Sequence, residues 1–362
     1  MTILLRPDSA KLVNVAGERS FQFWPGDRVA QSEGEIHQMY DDGHAGVWHD
    51  PVAIAEFENM IVGSGGNLDG ESVAKANGLA GSGEGRLIAP FVFVMRLFPG
   101  CWPGAAQQVG DCVSHDTKNA ALTTMSCDIA SGKPDEETGQ VQGVPTIDPV
   151  GISQGALSSE AIYWYRGYSG DGWSCEAAAN IAITKSALWL RNAYPELGID
   201  LTRYSGSQAH KYGRTAPPES ITTVGRKHLV RQATRVRTFA DVRDYLANGY
   251  GISTCGGEGW SNKRDENGVS YRKGSWSHAM AFIGADDRDI IKQKYGEPLV
   301  LILNSWGKWN TGGRRILGTD IDIPEGSFWT PWSAVRNRSM LALSGTNGWP
   351  TKNLPPLDLI VG

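Results

Sequence analysis

The sequence contains no run of 18 apolar residues, so no membrane-spanning helix is expected. Its five cysteines, Cys101, Cys112, Cys127, Cys175 and Cys255, include no C-x-x-C pair. That absence excludes the usual structural zinc patterns, and neither a metal nor a cofactor is expected. Basic charge is not in excess: 34 Lys and Arg stand against 39 Asp and Glu, a formal net charge of −5. Nucleic-acid binding is therefore not the expected task. Neither glycine-rich run, Gly63 to Asn67 or Gly81 to Gly85, has the G-x-G-x-x-G order of a phosphate cradle, so both read as connector or exposed loop. Met1 to Asp8 lack a basic stretch followed by a full apolar one, so no secretory signal is expected. Without such a signal the thiols are expected to be reduced.

What is present is a globular composition. The 362 residues are 40% hydrophobic and 20% charged, enough for one large or two ordinary domains. The chemistry centres on Gln107-Gln108-Val109-Gly110-Asp111-Cys112. Gly110-Asp111 reads as a tight turn that delivers Cys112 to the start of a helix running through Asn119 to Leu122. A thiol at a helix N-terminus feels the positive end of the macrodipole, which favours the nucleophilic thiolate. A small buried cysteine would look the same in this segment alone.

Elsewhere the patterning is coarse. Phe21 to Trp24 followed by Pro25-Gly26 reads as strand then turn. His37, Asp41, Asp42, His44, His49 and Asp50 match no established ligand spacing and read as a polar loop. Residues 51–62 suggest a short helix, and 87–94 a buried strand that opens a new domain near residue 87. Residues 126–153 read as loop. A helix starts near Leu157 with Ser158 available as N-cap, and another runs from Cys175 to Asn192. Arg226 to Arg231, with Arg235 and Arg237, form one short basic cluster, taken as a solvated strand face. Thr238 to Asp241 resemble a capping box for a helix ending at Asn248-Gly249. Strand-like runs follow at 277–284, 298–303 and 339–343. Helices first and strands later predict an α+β protein with unlike halves.

Three segments in order carry a family resemblance: Gln-x-x-Gly-Asp-Cys at 107–112, His278-Ala279-Met280, and Asn304-Ser305-Trp306-Gly307. From about 88 to 345 the chain resembles the papain-like cysteine peptidases. The histidine lies 166 residues after Cys112 and the asparagine 192, against roughly 130–150 in family members, so extra loops are implied. The resemblance implies a two-subdomain α+β fold, with a helical subdomain (about 88–225) carrying the nucleophile. A β-rich subdomain (about 226–345) would carry His and Asn, with a tail beyond and residues 1–87 as an extension. It implies Cys112 as nucleophile, His278 as base and acid, Asn304 as its orienter, and Trp306 as a cover over their bond. A glutamine side chain would complete the oxyanion hole.

Departures accompany the match. The family glutamine sits six residues before the cysteine, whereas Gln107 is five before and Gln108 four. Either could serve after a one-residue deletion, and Gln107 is preferred. Val113 replaces the aromatic that usually follows the cysteine, and Lys308-Trp309-Asn310 follow the asparagine motif. Residues 1–87 lack the family's helical inhibitory pattern. The expected activity is hydrolysis of a peptide or protein substrate, in a cytoplasmic or virion-associated setting like bacterial or phage members. The second reading is a papain-fold structural or assembly module, as in a virion, with self-association or particle association and incidental, self-directed or lost peptidase activity.

Overall fold

The computed structural model describes residues 10–15, 18–23, 47–48, 70–132, 156–184, 188–215, 217, 230–345, 349, 351–352 and 354. Packing divides the chain into two compact units, Met1–Gly63 and Ser64–Gly362, ahead of the boundary expected near residue 87. In the first unit, β1 (Ala10–Val15) pairs antiparallel with β2 (Glu18–Phe23), and β2 with β3 (Val47–Trp48). The strand expected at Phe21 is the end of β2. The His/Asp segment at 37–50 and the helix expected over 51–62 lie outside the described residues.

The second unit begins with α1 (Gly70–Ala76), β4 (Leu87–Ile88) and α2 (Phe91–Leu97). The strand expected over 87–94 is therefore only two residues long. Pro90, at φ −60° and ψ −21°, stands in helical geometry ahead of α2, where its missing N–H costs nothing. Burial of Phe91, Phe93 and Val94 then overrides their β propensity.

The central element is α3 (Cys112–Ala130). Ser126, Cys127 and Ile129 are buried in its last turns, so the loop expected from 126 does not begin there, and residues 133–153 of it lie outside the described residues. Two hydroxyls of α3 bond within the helix: Thr123 Oγ1 donates to the Asn119 carbonyl at 3.0 Å and Thr124 Oγ1 to the Ala120 carbonyl at 3.4 Å. The helix is buried around most of its circumference and so shows no polar face to read.

After it come α4 (Ser159–Trp164) and α5 (Cys175–Thr184). Ser158 caps α4, its Oγ accepting the Ala161 N–H at 3.4 Å. The helix expected to run to Asn192 is described to Thr184, and residues 188–192 are not helical. Instead the Ser158 N–H donates to the Trp189 carbonyl at 2.8 Å, and Leu157 bridges Leu190. β5 (Ala193–Tyr194), β6 (Ile199–Asp200) and α6 (Gly206–Tyr212) follow.

β7 (Ala233–Arg235) leads to α7 (Phe239–Ala247). The capping box forms: the Asp241 N–H donates to Thr238 Oγ1 at 3.1 Å, and the Thr238 N–H to Asp241 Oδ2 at 3.0 Å. The remaining elements are β8 (Ile252–Trp260), β9 (Arg272–Ala279), β10 (Ala281–Asp286), α8 (Asp289–Tyr295), β11 (Leu299–Leu303), β12 (Ser327–Pro331) and β13 (Ser339–Leu343). Of the basic cluster, Arg235 lies in β7 and pairs with Glu176, while Arg226 to Leu229 lie outside the described residues.

The strands form an antiparallel sheet in the order β12-β11-β10-β8-β13-β7, with β4 on β10 and β9 on β8. Both faces are covered. Leu299, Leu301 and Leu303 enter one apolar core with residues of α2, α3 and α5; Val300 and Ile302 enter a second with α1 and α7. Two-sided burial explains why these strands read as continuous apolar runs. The architecture is α+β, with most helices ahead of most strands.

α3 and the chain entering β8 approach closely at Gly251, where an added Cβ would overlap the Ala120 carbonyl. The Gly251 N–H also donates to Thr124 Oγ1 at 3.0 Å. Gly251→Ala is expected to cost about 1–3 kcal/mol through overpacking, read as a lowered urea midpoint at unchanged m-value.

The free-thiol expectation fails for one pair. Cys175, at the start of α5, and Cys255, in β8, form a disulfide with Cα atoms 5.9 Å apart. They are 80 residues apart in sequence, and only the packing of α5 against the sheet brings them together. Cys101, Cys112 and Cys127 are free.

Candidate active site

Cys112 is the first residue of α3, and its turn is fixed from both sides. Gly110 lies so close to Asp171 that a Cβ would collide with that side chain, and the Gly172 N–H donates to the Gly110 carbonyl at 3.0 Å. Buried Asp111 accepts a hydrogen bond from Tyr204 Oη at 3.1 Å. The thiol is half-buried and under the influence of the backbone N–H of Ala279, the residue after His278. Cys112 and His278 line one cavity of about 440 Å³, together with Val113, Trp173, Ser277 and the Cys175–Cys255 disulfide.

His278 is the penultimate residue of β9 and is buried. Its Nε2 lies 2.8 Å from Asn304 Oδ1, and the same oxygen accepts the Ser305 N–H at 2.7 Å. The backbone donor marks that Asn304 atom as the carbonyl oxygen, an acceptor only. His278 therefore carries its hydrogen on Nε2, which leaves Nδ1 as the basic nitrogen. The Trp306 ring covers the imidazole, with centroids 4.7 Å apart and planes at 31°.

Two features of the site escaped the sequence reading. Trp276 packs on Trp306 at 4.7 Å and meets His278 edge-on at 6.3 Å. The signal was available: residues two apart on a strand share a face. Arg338 is buried behind the histidine. Its Nη2 donates to the His278 carbonyl at 2.8 Å, its Nε to Thr254 Oγ1 at 3.0 Å, and its Nη1 to Glu258 Oε2 at 2.8 Å. No local pattern marks an arginine as the partner of a backbone carbonyl 60 residues away.

The two glutamines part company. Gln107 joins the Asn304 turn: its N–H donates to the Ser305 carbonyl at 2.8 Å and its Oε1 accepts from Ser305 Oγ. Its Nε2 donates to the Val109 carbonyl at 3.0 Å. Gln108 turns toward α6 instead, where its Oε1 accepts the Gly206 N–H at 3.1 Å.

Electrostatics at the site oppose isolated charge. Burial pushes the Cys112 thiol up, with smaller upward contributions from Asp116 and Asp111; the Ala279 N–H pulls it down. Burial pulls His278 down to about 4, and Asn304 acts against that by favouring the imidazolium. Asp116, one turn beyond Cys112, is pushed up to about 8 by burial, offset in part by bonds from Ser253 and Thr254. The helix-end position therefore does not by itself produce a thiolate. A proton passing from sulfur to Nδ1 leaves the pair neutral as a whole, so burial penalises that transfer less than ionisation of either group alone. Among the described residues no cluster of three or more His, Cys, Asp or Glu is arranged to hold a metal ion.

No family model matches the sequence, and no curated protein matches it. Solved structures do. Xylellain, a cysteine protease from Xylella fastidiosa, matches at 14% identity and TM-score 0.42, over 69% of this chain and 84% of its own. A structure from work on antibody cross-reactivity between the mite allergens Blo t 1 and Der p 1 matches at 15% and 0.37, over 86% and 90%. Procathepsin B S9 from Trypanosoma congolense matches at 12% and 0.37, over 72% and 76%.

Proposed function

We propose that the chain is a papain-like cysteine peptidase. The observation that carries this reading is the doubly held Asn304 oxygen, which fixes the His278 tautomer beside the cavity shared with Cys112. His278 Nδ1 takes the Cys112 proton as sulfur attacks a peptide carbonyl carbon. The imidazolium then gives that proton to the departing amine as the C–N bond breaks, leaving a thioester on Cys112. Water adds to the thioester, its proton passing to His278. Cleavage of the C–S bond then releases the carboxylic acid and restores the thiol. Trp306 and Trp276 shield the His278–Asn304 bond from water. Gln107, held at the Asn304 turn, is the preferred side-chain donor to the oxyanion, alongside the Cys112 N–H.

The test is labelling with an epoxide-type thiol electrophile, read by intact mass, beside hydrolysis of a mixed peptide pool. Stoichiometric single labelling and peptide cleavage are expected in the wild type, and neither at that site in Cys112→Ala. Slow labelling spread over Cys101, Cys112 and Cys127, without cleavage, would remove the peptidase reading in favour of an assembly module.

A further inference from the structure

A second cavity, of about 390 Å³, opens on another stretch of α3. His115, Lys118, Asn119 and Leu122 face it from the helix, and Arg191, Arg203 and Tyr204 from the segments around β5 and β6. Neither Cys112 nor His278 lines it, and no Asp or Glu does. Its charge is one-sided.

The cations differ in how well they are satisfied. Arg191 is paired with buried Glu160 at 2.9 Å and donates to the Leu201 carbonyl at 3.1 Å. Lys118 has no hydrogen bond or ion pair among the described residues. Burial, with Arg191 next, pulls its ammonium down to about 8. Lys118 is half-buried, and the attractions of Cys101, Glu160 and Asp111 do not offset the pull of burial. A cation with no hydrogen-bonding partner, facing a cavity with two further cations, is placed to take a negative group. Thr202, Tyr204 and Asn119 add neutral hydrogen-bonding groups to the wall.

We propose that this cavity binds a small phosphate- or carboxylate-bearing anion, with Lys118 as its main charge partner and Arg203 as a second. The volume suits a compact molecule rather than a polymer. Ser305 also lines the cavity and holds Gln107 through both its hydroxyl and its carbonyl. Occupancy is thereby linked to the loop that precedes Cys112. The assignment stands on this cavity alone and does not depend on the peptidase reading.

The experiment is thermal unfolding of the full chain in inorganic phosphate and in citrate, each against sodium chloride at matched ionic strength. Saturable stabilisation by phosphate, citrate or both is expected; which of them acts tells phosphate from carboxylate chemistry. Lys118→Met should lose that response while the ligand-free protein melts no lower, because the substitution keeps the shape of a half-buried side chain and removes a charge that has no ion pair among the described residues. Exposed Lys273→Met should keep the response. Equal shifts in chloride, or an undiminished response in Lys118→Met, would overturn the proposal. Should Lys118→Met fold poorly, Arg203→Gln provides the second variant, and an unchanged half-saturation concentration there would count against the site.

Discussion

His278→Ala is expected to slow alkylation of Cys112 at pH 7 by roughly 10²–10⁴-fold, the usual worth of a positioned general base. The sign follows from the surroundings of both groups. Burial holds the thiol above its ordinary value of 9.0, so without an acceptor the thiolate forms only in alkaline solution. In the wild type, His278 stays neutral and able to take the proton down to about pH 4. The wild-type rate should therefore hold from neutral pH to near that value and fall below it, as Nδ1 becomes occupied. The His278→Ala rate should instead climb through the alkaline range. Asn304→Ala removes the bond that favours the imidazolium, so its acid limb should move to lower pH. The measurement is a stopped-flow alkylation profile for the three proteins. Superimposable profiles for wild type and His278→Ala would end the claim that the two residues act together.

Among single substitutions, the largest expected effect on stability belongs to Arg338→Met. Breaking a buried ion pair from one side costs about 3–5 kcal/mol. Here the change also removes a donor from the His278 carbonyl and one from the Thr254 hydroxyl, which keeps its own bond to the Met280 carbonyl. Glu258, with its side chain 13% exposed, would be left facing no cation. Guanidinium-chloride unfolding is the readout, and the double variant Arg338→Met/Glu258→Gln should recover part of the loss. A single-variant effect below about 1 kcal/mol would be that of an exposed pair and would show that the contact network behind the histidine carries little energy.

Much of the architecture could be read from short-range signals. The Thr238–Asp241 box, the Ser158 cap and the apolar strands at 299–303 and 339–343 each write their geometry within a few residues. The structure also brings the side chains of three separate motifs, at 112, 278 and 304, into one neighbourhood. What stayed hidden depended on distance or on enclosure. The length of α3 was underestimated because a helix buried on most sides carries small polar residues that read as loop. The strand expected at 87–94 gave way to Pro90 and to core packing. Arg338, Asp116 and the Cys175–Cys255 pair act through contacts made only after the sheet closes on α3 and α5, and no window of sequence contains both partners.

The Cys175–Cys255 disulfide ties α5 to β8 at the wall of the cavity that holds Cys112. In the chain-entropy picture, closing a loop of this size restricts the unfolded chain by about 4–5 kcal/mol. Protein made and stored in excess dithiothreitol would lack that tether, and protein matured in air would have it. Two preparations with one sequence would then differ both in heat tolerance and in the freedom of the groove wall.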